Sequence, residues 1–133
     1  MRFEKFTDRL QQSLSDAQSL AVGKDHTAIG TYHLLASLLN EPANQSLLQQ
    51  AGANLATLVE KLNQALNDAA TLSQPTGDIN LNPEAVRVLN LADSYAQKAG
   101  DEFLSTDWVL LALAEQGESK KVIEQSGANA QKL

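Results

Sequence analysis

The side chains best suited to acid–base or metal chemistry are the only two histidines, His26 and His33. The motif H-E-x-x-H, which places two zinc ligands on one face of a helix, does not occur in the sequence. The sequence also has no cysteine, which excludes disulfides and thiolate zinc sites. No Ser–His–Asp order stands out. We therefore expect no catalytic or metal site, and we predict that His33 packs or hydrogen-bonds at the start of a helix.

Charge and composition exclude several classes of partner. The segment "GKDHT" (23–27) lacks the upstream glycine loop that cradles phosphates, so no nucleotide cofactor is expected in this segment. The formal net charge of −6 argues against nucleic acid, because phosphate binding requires a basic face. The opening "MRFEKFTDRL" has no apolar signal region, and no run approaches 18 apolar residues. We expect a cytoplasmic protein without a membrane partner.

The elements that must position any site are predicted to be helices. Apolar residues recur at helical spacing in a first segment that ends near Gly23. Two short, densely apolar helices are predicted at 31–40, with Thr31 as N-cap, and at 105–116. Asn82 is predicted to cap a later helix, because proline follows it at the first helical position.

A short turn occurs twice in the sequence, at a distance of 75 residues. Gly52-Ala53-Asn54 returns as Gly127-Ala128-Asn129. Each copy is predicted to end a third helix at its glycine and to begin a fourth at its asparagine. Shifting the sequence by the same 75 positions aligns further identical residues without a gap, which indicates a duplication. These pairs include Leu14 with Leu89, Ala17 with Ala92, Thr31 with Thr106, Leu35 with Leu110 and Leu38 with Leu113.

The duplication predicts the fold and its division. We expect an all-α protein in which two pseudo-symmetric four-helix repeats form one globular domain, with the two short apolar helices buried between them. Residues 1–70 form the first repeat, 71–81 the linker between repeats, and 82–133 the second repeat, whose last helix is truncated. That truncation leads us to expect that the chain is a fragment of a longer protein.

The tandem units resemble the amino-terminal domain of Clp ATPases. The resemblance covers essentially the whole chain and rests on "TYHLLASLLN" (31–40), with "VLNLAD" (88–93) and "GDEFLS" (100–105) pointing to the ClpB disaggregase branch. It implies the substrate-recruiting domain of an AAA+ chaperone that binds unfolded or aggregated polypeptides. It also implies a homohexameric full-length protein that uses ATP and Mg and works with a DnaK-type chaperone system.

Apolar residues on the helix that opens the second repeat are candidates for binding. Leu89 and Leu91 lie at opposite margins of the stripe formed by Val88, Ala92 and Tyr95. Fold physics alone favours their being covered by neighbouring helices. The resemblance implies instead that they line an apolar groove for clients.

Polar residues carried over from the family complete the predicted site. The resemblance implies that Thr7, Asp101 and Asp107 help to engage clients, with Trp108 beside them. The family pattern commonly has Glu at the position of Asp107 and Leu at that of Trp108, so the shape of the groove differs here. Each polar residue also has a structural interpretation: Thr7 as an N-cap, Asp107 at a positive helix end, and Asp101 as a solvated loop acid.

Three functions are therefore open from sequence. The first is recruitment of unfolded or aggregated polypeptide to an ATP-dependent disaggregase, through an apolar groove with acidic neighbours. The alternative is docking of an adaptor to a protease-associated Clp ATPase, and a further rival is a small stand-alone acidic enzyme. Acids outnumber bases six to one from Asp93 to Glu118, which would favour clients with basic residues or form a plain solvated face.

Overall fold

A computed structural model describes residues 2–74 and 79–133. Within these ranges there are seven α-helices, and the only strand-like contacts are isolated backbone pairs, which confirms the all-α class. None of the described helices is both long and apolar enough to cross a bilayer. The helices are α1 (Asp8–Gly23), α2 (Thr31–Leu38), α3 (Pro42–Gln50), α4 (Leu55–Asn67), α5 (Pro83–Lys98), α6 (Thr106–Glu115) and α7 (Glu118–Gln125), with single 3₁₀ turns at Phe3–Lys5 and Ala130–Lys132.

The division of the chain into repeats 1–70 and 82–133 remains a prediction. Four helices lie in the predicted first repeat, and three lie in the second. The second repeat ends in the 3₁₀ turn Ala130–Lys132, where the first repeat has α4. Of the predicted linker 71–81, residues 75–78 lie outside the described residues.

Side-chain caps fix where several helices begin. Thr7 accepts a hydrogen bond from the Leu10 amide at 3.2 Å, and Asn82 accepts one from the Ala85 amide at 2.8 Å. Asn54 caps α4 in the same way, and Asn129 does so for the last 3₁₀ turn. These residues satisfy amides that have no partner inside the helix. The predicted caps Asn54 and Asn82 are confirmed.

The start of α2 differs from the prediction. Gly30 is the N-cap and Thr31 is already helical, so the prediction of Thr31 as the cap is wrong. The reason is that the Gly30 amide donates to His33 Nδ1 at 2.8 Å, which reverses the usual direction of the capping bond. The Thr31 hydroxyl donates to Glu84 at 3.2 Å instead. Glu84 also accepts from the Glu118 amide at 2.6 Å and so joins the starts of α2, α5 and α7.

The two histidines form a buried hydrogen-bonded pair. His33 Nδ1 accepts from Gly30, so His33 Nε2 carries the proton and donates to His26 Nδ1 at 2.7 Å. Only 3% of His26 and 4% of His33 are exposed. Burial is the main cause that lowers the pKa of His33 to about 4. The prediction that His33 hydrogen-bonds at a helix start is confirmed.

The two short apolar helices lie at the centre of the core. α2 packs against α1, α4, α5, α6 and α7, and α6 packs against α5 and α7. Both helices are apolar on most of their surface because neighbours surround them. The prediction that these two helices are buried is confirmed. The core side chains that they supply include Leu34, Leu35, Leu38, Val109, Leu110 and Leu113.

Two parallel backbone pairs join the repeats reciprocally. Phe6 pairs with Leu104, and Leu81 pairs with Ile29. The two pairs correspond under the 75-residue shift, which carries Phe6 to Leu81 and Ile29 to Leu104. The segment before the first helix of each repeat therefore pairs with the loop after the first helix of the other repeat. Four hydrogen bonds of 2.7–3.0 Å close the two pairs.

The repeated glycine turns touch each other. Gly52 and Gly127 have φ values of +105° and +106°, which favour glycine. A Cβ atom on Gly127 would lie 2.7 Å from the Gly52 carbonyl oxygen, and one on Gly52 would lie 2.9 Å from the Gly127 carbonyl oxygen. The Asn54 amide also donates to the Ser126 carbonyl at 2.8 Å. Glycine is required here for both the backbone conformation and the close approach.

We expect Gly127→Ala to destabilise the domain by about 3 kcal/mol, because it adds a steric clash to an unfavourable backbone conformation. Gly100→Ala is the matched control. Gly100 also has a positive φ of +81°, but no atom lies within 4 Å of an added Cβ, so about 1 kcal/mol is expected. Urea unfolding followed by circular dichroism measures both changes. Equal losses in the two variants would contradict the contact between the turns.

We also expect the domain to lose stability as the pH falls from 6.5 towards 4. The pKa of His33 is lowered in the folded state, so the unfolded chain takes up the proton at a higher pH than the folded domain does. The contribution of neutral His33 to stability is therefore present in full above pH 6.5 and is lost as the pH falls towards 4. The loss from His33 is about 2 kcal/mol at pH 5. His33→Gln keeps an acceptor for the Gly30 amide but removes the titration. A variant with the same pH dependence as the wild type would refute the assignment.

Candidate functional site

The candidate site surrounds the loop between α5 and α6. Leu104 in this loop is fixed by both of its backbone polar groups, because its amide donates to the Lys5 carbonyl at 2.7 Å and its carbonyl accepts from the Thr7 amide at 3.0 Å. The Leu104 side chain is buried in the core. Thr7 therefore lies directly beside the loop, as the resemblance implied. Its hydroxyl caps α1, so the structural role proposed from sequence is present too.

Trp108 and Asp101 are brought together across the loop. The Trp108 indole donates from Nε1 to Asp101 Oδ2 at 2.7 Å. The Trp108 ring is half-buried against the core, and its centroid lies 6.2 Å from that of Tyr95 on α5. An amphipathic aromatic cluster with a carboxylate at its edge is therefore presented at the surface.

Asp107 occupies the first turn of α6. Its carboxylate accepts from the Trp108 amide at 3.0 Å and from the Ser105 hydroxyl. An acid at this end of a helix is stabilised by the helix dipole, so the structural interpretation of Asp107 holds. The side chain is nevertheless exposed, as is that of Asp101. Both acids remain accessible to a binding partner.

The prediction that Leu89 lines an open groove is wrong. Leu89 is 0% exposed and belongs to the hydrophobic core. The buried face of α5 is wider than the predicted stripe because α6 packs along it, and the additional buried residue at the margin is Leu89. Leu91, at the other margin, is half-buried at the edge of the core. Because α-helical neighbours lie four residues apart, Leu91 is adjacent to Tyr95 on α5.

Two exposed aromatic residues near the site were missed from sequence. Phe103 lies in the loop itself and is 47% exposed, and Phe3 in the first 3₁₀ turn is 53% exposed. The Nζ atom of Lys5 lies 5.8 Å from the centre of the Phe103 ring. The signal in the sequence was an aromatic residue between loop acids in "GDEFLS" (100–105). Helical periodicity gives no information on such a residue, because the loop has no period.

An apolar groove is present, but it lies on α1. It has a volume of about 590 Å³ and is lined by Phe3, Leu14, Ile29 and Leu81, with polar residues at its rim. Because Leu89 is buried, it does not support the prediction that the groove lies on α5.

The acids around the site differ in their availability. Arg2 binds Asp93 through two hydrogen bonds of 2.7 and 3.2 Å, and this contact lowers the pKa of Asp93. Glu102 lies 3.9 Å from the Lys5 ammonium, and Glu115 accepts from the Tyr95 hydroxyl. Among residues 2–74 and 79–133, no group of three or more potential ligands could hold a metal. The site has the chemistry of a binding surface.

Sequence comparison gives the family. A family model for the Clp repeat N-terminal domain matches residues 5–131. The chaperone protein ClpB of Pseudomonas putida is 41% identical over 139 aligned positions, covering 95% of this chain. The chain spans only 16% of the length of that relative.

Solved structures give the fold. The N-terminal domain of Hsp104 from Candida albicans matches with a TM-score of 0.88 and 23% identity, over 96% of this chain and 85% of that one. The N-terminal domain of ClpD, a caseinolytic protease associated chaperone of Arabidopsis thaliana, matches with a TM-score of 0.74 and 22% identity, over 98% and 90%. Because the family model covers nearly the whole chain, the chain belongs to the Clp repeat N-terminal domain family, and its similarity is to ClpB-type chaperones.

Proposed function

We propose that this domain recruits unfolded or aggregated polypeptide to an ATP-dependent protein disaggregase. As a Clp N-terminal domain it is a binding domain and not the catalytic part of its chaperone. The observation that carries the proposal is the loop surface, which we define as Thr7, Asp101, Phe103, Asp107 and Trp108. It combines exposed aromatic area with two acids, Asp101 and Asp107, that form no ion pair with any described residue, on a backbone fixed by Leu104.

The loop surface suits clients that have no common sequence. Non-native chains expose apolar side chains, which Phe103 and Trp108 can cover, while Asp101 and Asp107 favour basic residues beside them. Asp101, Phe103 and Asp107 are exposed, so contact with them demands no particular side chain. Such contacts are weak individually and tolerate many sequences.

The properties of the longer protein are part of this proposal. The ClpB relative is several times longer than the chain, which leaves room for ATPase modules elsewhere. We infer that ATP and Mg bind outside this domain, that the full-length protein is a homohexamer, and that it works with a DnaK-type system in the cytoplasm. The family resemblance supports these inferences.

Adaptor docking is the alternative function. Its support is that ClpD, described as a caseinolytic protease associated chaperone, shares the fold. An adaptor is a folded protein with one defined surface, whereas non-native clients share only exposed apolar segments. Binding of a permanently unfolded protein to the isolated domain, with no folded adaptor present, favours the disaggregase role.

We expect Trp108→Ala to weaken binding of reduced, carboxymethylated α-lactalbumin by about tenfold or more, because aromatic anchors dominate interface energies. Fluorescence anisotropy of the labelled client measures the affinity. Trp108→Phe retains most of the apolar area and should recover part of the loss. An affinity unchanged in Trp108→Ala would remove the loop surface from the site.

We expect Asp101→Asn to weaken binding of an unfolded peptide rich in lysine and valine by about threefold to tenfold and to reduce the dependence of this binding on salt. Asparagine keeps an acceptor oxygen for the Trp108 indole, so the change removes charge and little structure. Glu60→Gln on the exposed face of α4 removes the same charge elsewhere and serves as the control. Equal effects of the two substitutions would show that only net charge matters.

Leu91 and Leu89 provide a further contrast between binding and stability. We expect Leu91→Ser to weaken client binding with a loss of about 1 kcal/mol or less in stability, because Leu91 is half-buried. Leu89→Ser should destabilise the domain by about 3 kcal/mol or more, because it removes core volume and buries a hydroxyl. Thermal unfolding and client titration separate the two effects. Loss of folding in Leu91→Ser would contradict the client-binding role that the resemblance implies for Leu91.

A further inference from the structure

The backbone of the α5–α6 loop has an open edge next to the loop surface. Both polar groups of Leu104 are directed to Lys5 and Thr7. In extended backbone, neighbouring residues direct their amides and carbonyls to the opposite side. Ser105 is extended, with φ −103° and ψ 167°, and its amide has no hydrogen-bond partner among the described residues. The Ser105 amide therefore lies on the outer edge of a two-stranded parallel pair.

The other half of the domain shows that this open edge is specific to one repeat. Gly30 is the counterpart of Ser105 under the 75-residue shift, and its amide is satisfied by His33 Nδ1. Trp108 stands at the position of His33, and its indole is a donor only, already bonded to Asp101. The side chain that closes the edge in the first repeat has thus been replaced by one that leaves it open in the second.

We propose that an extended segment of the client adds as a further strand along Phe103–Ser105, pairing its backbone with the Ser105 amide. This inference rests on the proposed client-binding function and specifies how the client is held. Strand addition uses main-chain groups that every polypeptide has, so it is independent of client sequence. Unpaired strand edges are also the features of a sheet that other chains bind most readily.

The surroundings of the edge fit an extended client with basic and apolar residues. Asp101, Glu102 and Asp107 lie at the two ends of the loop and favour lysine or arginine. Phe103 and Trp108 offer apolar area next to the same backbone. Side chains alternate across a strand, so one face of the client would contact the aromatic residues.

Ser105→Pro tests the pairing directly, with Ser105→Ala as the matched variant. Proline removes the amide donor and the hydroxyl, and it also moves φ from −103° towards about −65°. Alanine removes the hydroxyl and keeps the amide. With a short synthetic peptide of alternating lysine and valine as probe, we expect Ser105→Pro to weaken binding by about tenfold or more and Ser105→Ala by less than about threefold. Equal effects of the two variants overturn the proposal.

Peptides modified in the backbone test the proposal on the wild-type domain, which keeps it falsifiable if the proline variant fails to fold. Methylation of the amides of alternate residues blocks one edge of an extended peptide. We expect methylation of one alternating set to weaken binding by about tenfold and methylation of the other set to leave most of it. Two methylated peptides that both bind like the parent would overturn strand addition while client binding stands. Failure of the parent peptide to bind would overturn both proposals.

Discussion

The reciprocal backbone pairing between the repeats is the constraint on which the rest of the structure depends. The segment before the first helix of each repeat pairs with a loop of the other repeat. The paired residues are Phe6 with Leu104 and Leu81 with Ile29. The N-caps Thr7 and Asn82 follow directly, so the start of each first helix is fixed by the opposite repeat. Together with the contact between the two glycine turns, this pairing joins the two halves of the domain through their backbones.

The two repeats therefore hold their corresponding loops in the same way, but the side chains of these loops differ in chemistry. In the first repeat the loop position carries His26 and His33, which bind each other and close the backbone at Gly30. In the second repeat the same positions carry Asp101 and Trp108, which bind each other at the surface and leave Ser105 open. The duplicated scaffold supplies rigidity to both loops, and the difference in side chains makes only one of them suitable for capturing a chain.

The proposed mode of binding follows from what is rigid and what is open. Leu104 is buried, and its amide and carbonyl are both bonded to the segment Lys5–Thr7, so the loop next to it is held without a helix or sheet of its own. A preformed edge costs little ordering when a client binds. Most of the conformational entropy lost on binding is lost by the client, which favours segments that are already extended and non-native. This asymmetry is consistent with a domain that distinguishes unfolded chains from folded ones without reading their sequence.

The sequence by itself determined the all-α class, the caps Asn54 and Asn82 and the burial of the two short apolar helices, and it predicts the duplication. These features depend on local propensity and on periodicity, which are properties of consecutive residues in the sequence. The tertiary structure decided which margin of α5 is covered, because helical spacing gives the direction of a side chain but not the position of its neighbours. It thereby buried Leu89 and left Leu91 at the edge of the core. Only tertiary structure could also reveal the exposure of Phe103 and the open amide of Ser105, since each depends on where residues far apart in the chain are placed. The displaced cap of α2 rests on a local hydrogen bond between Gly30 and His33, which propensity and periodicity did not indicate.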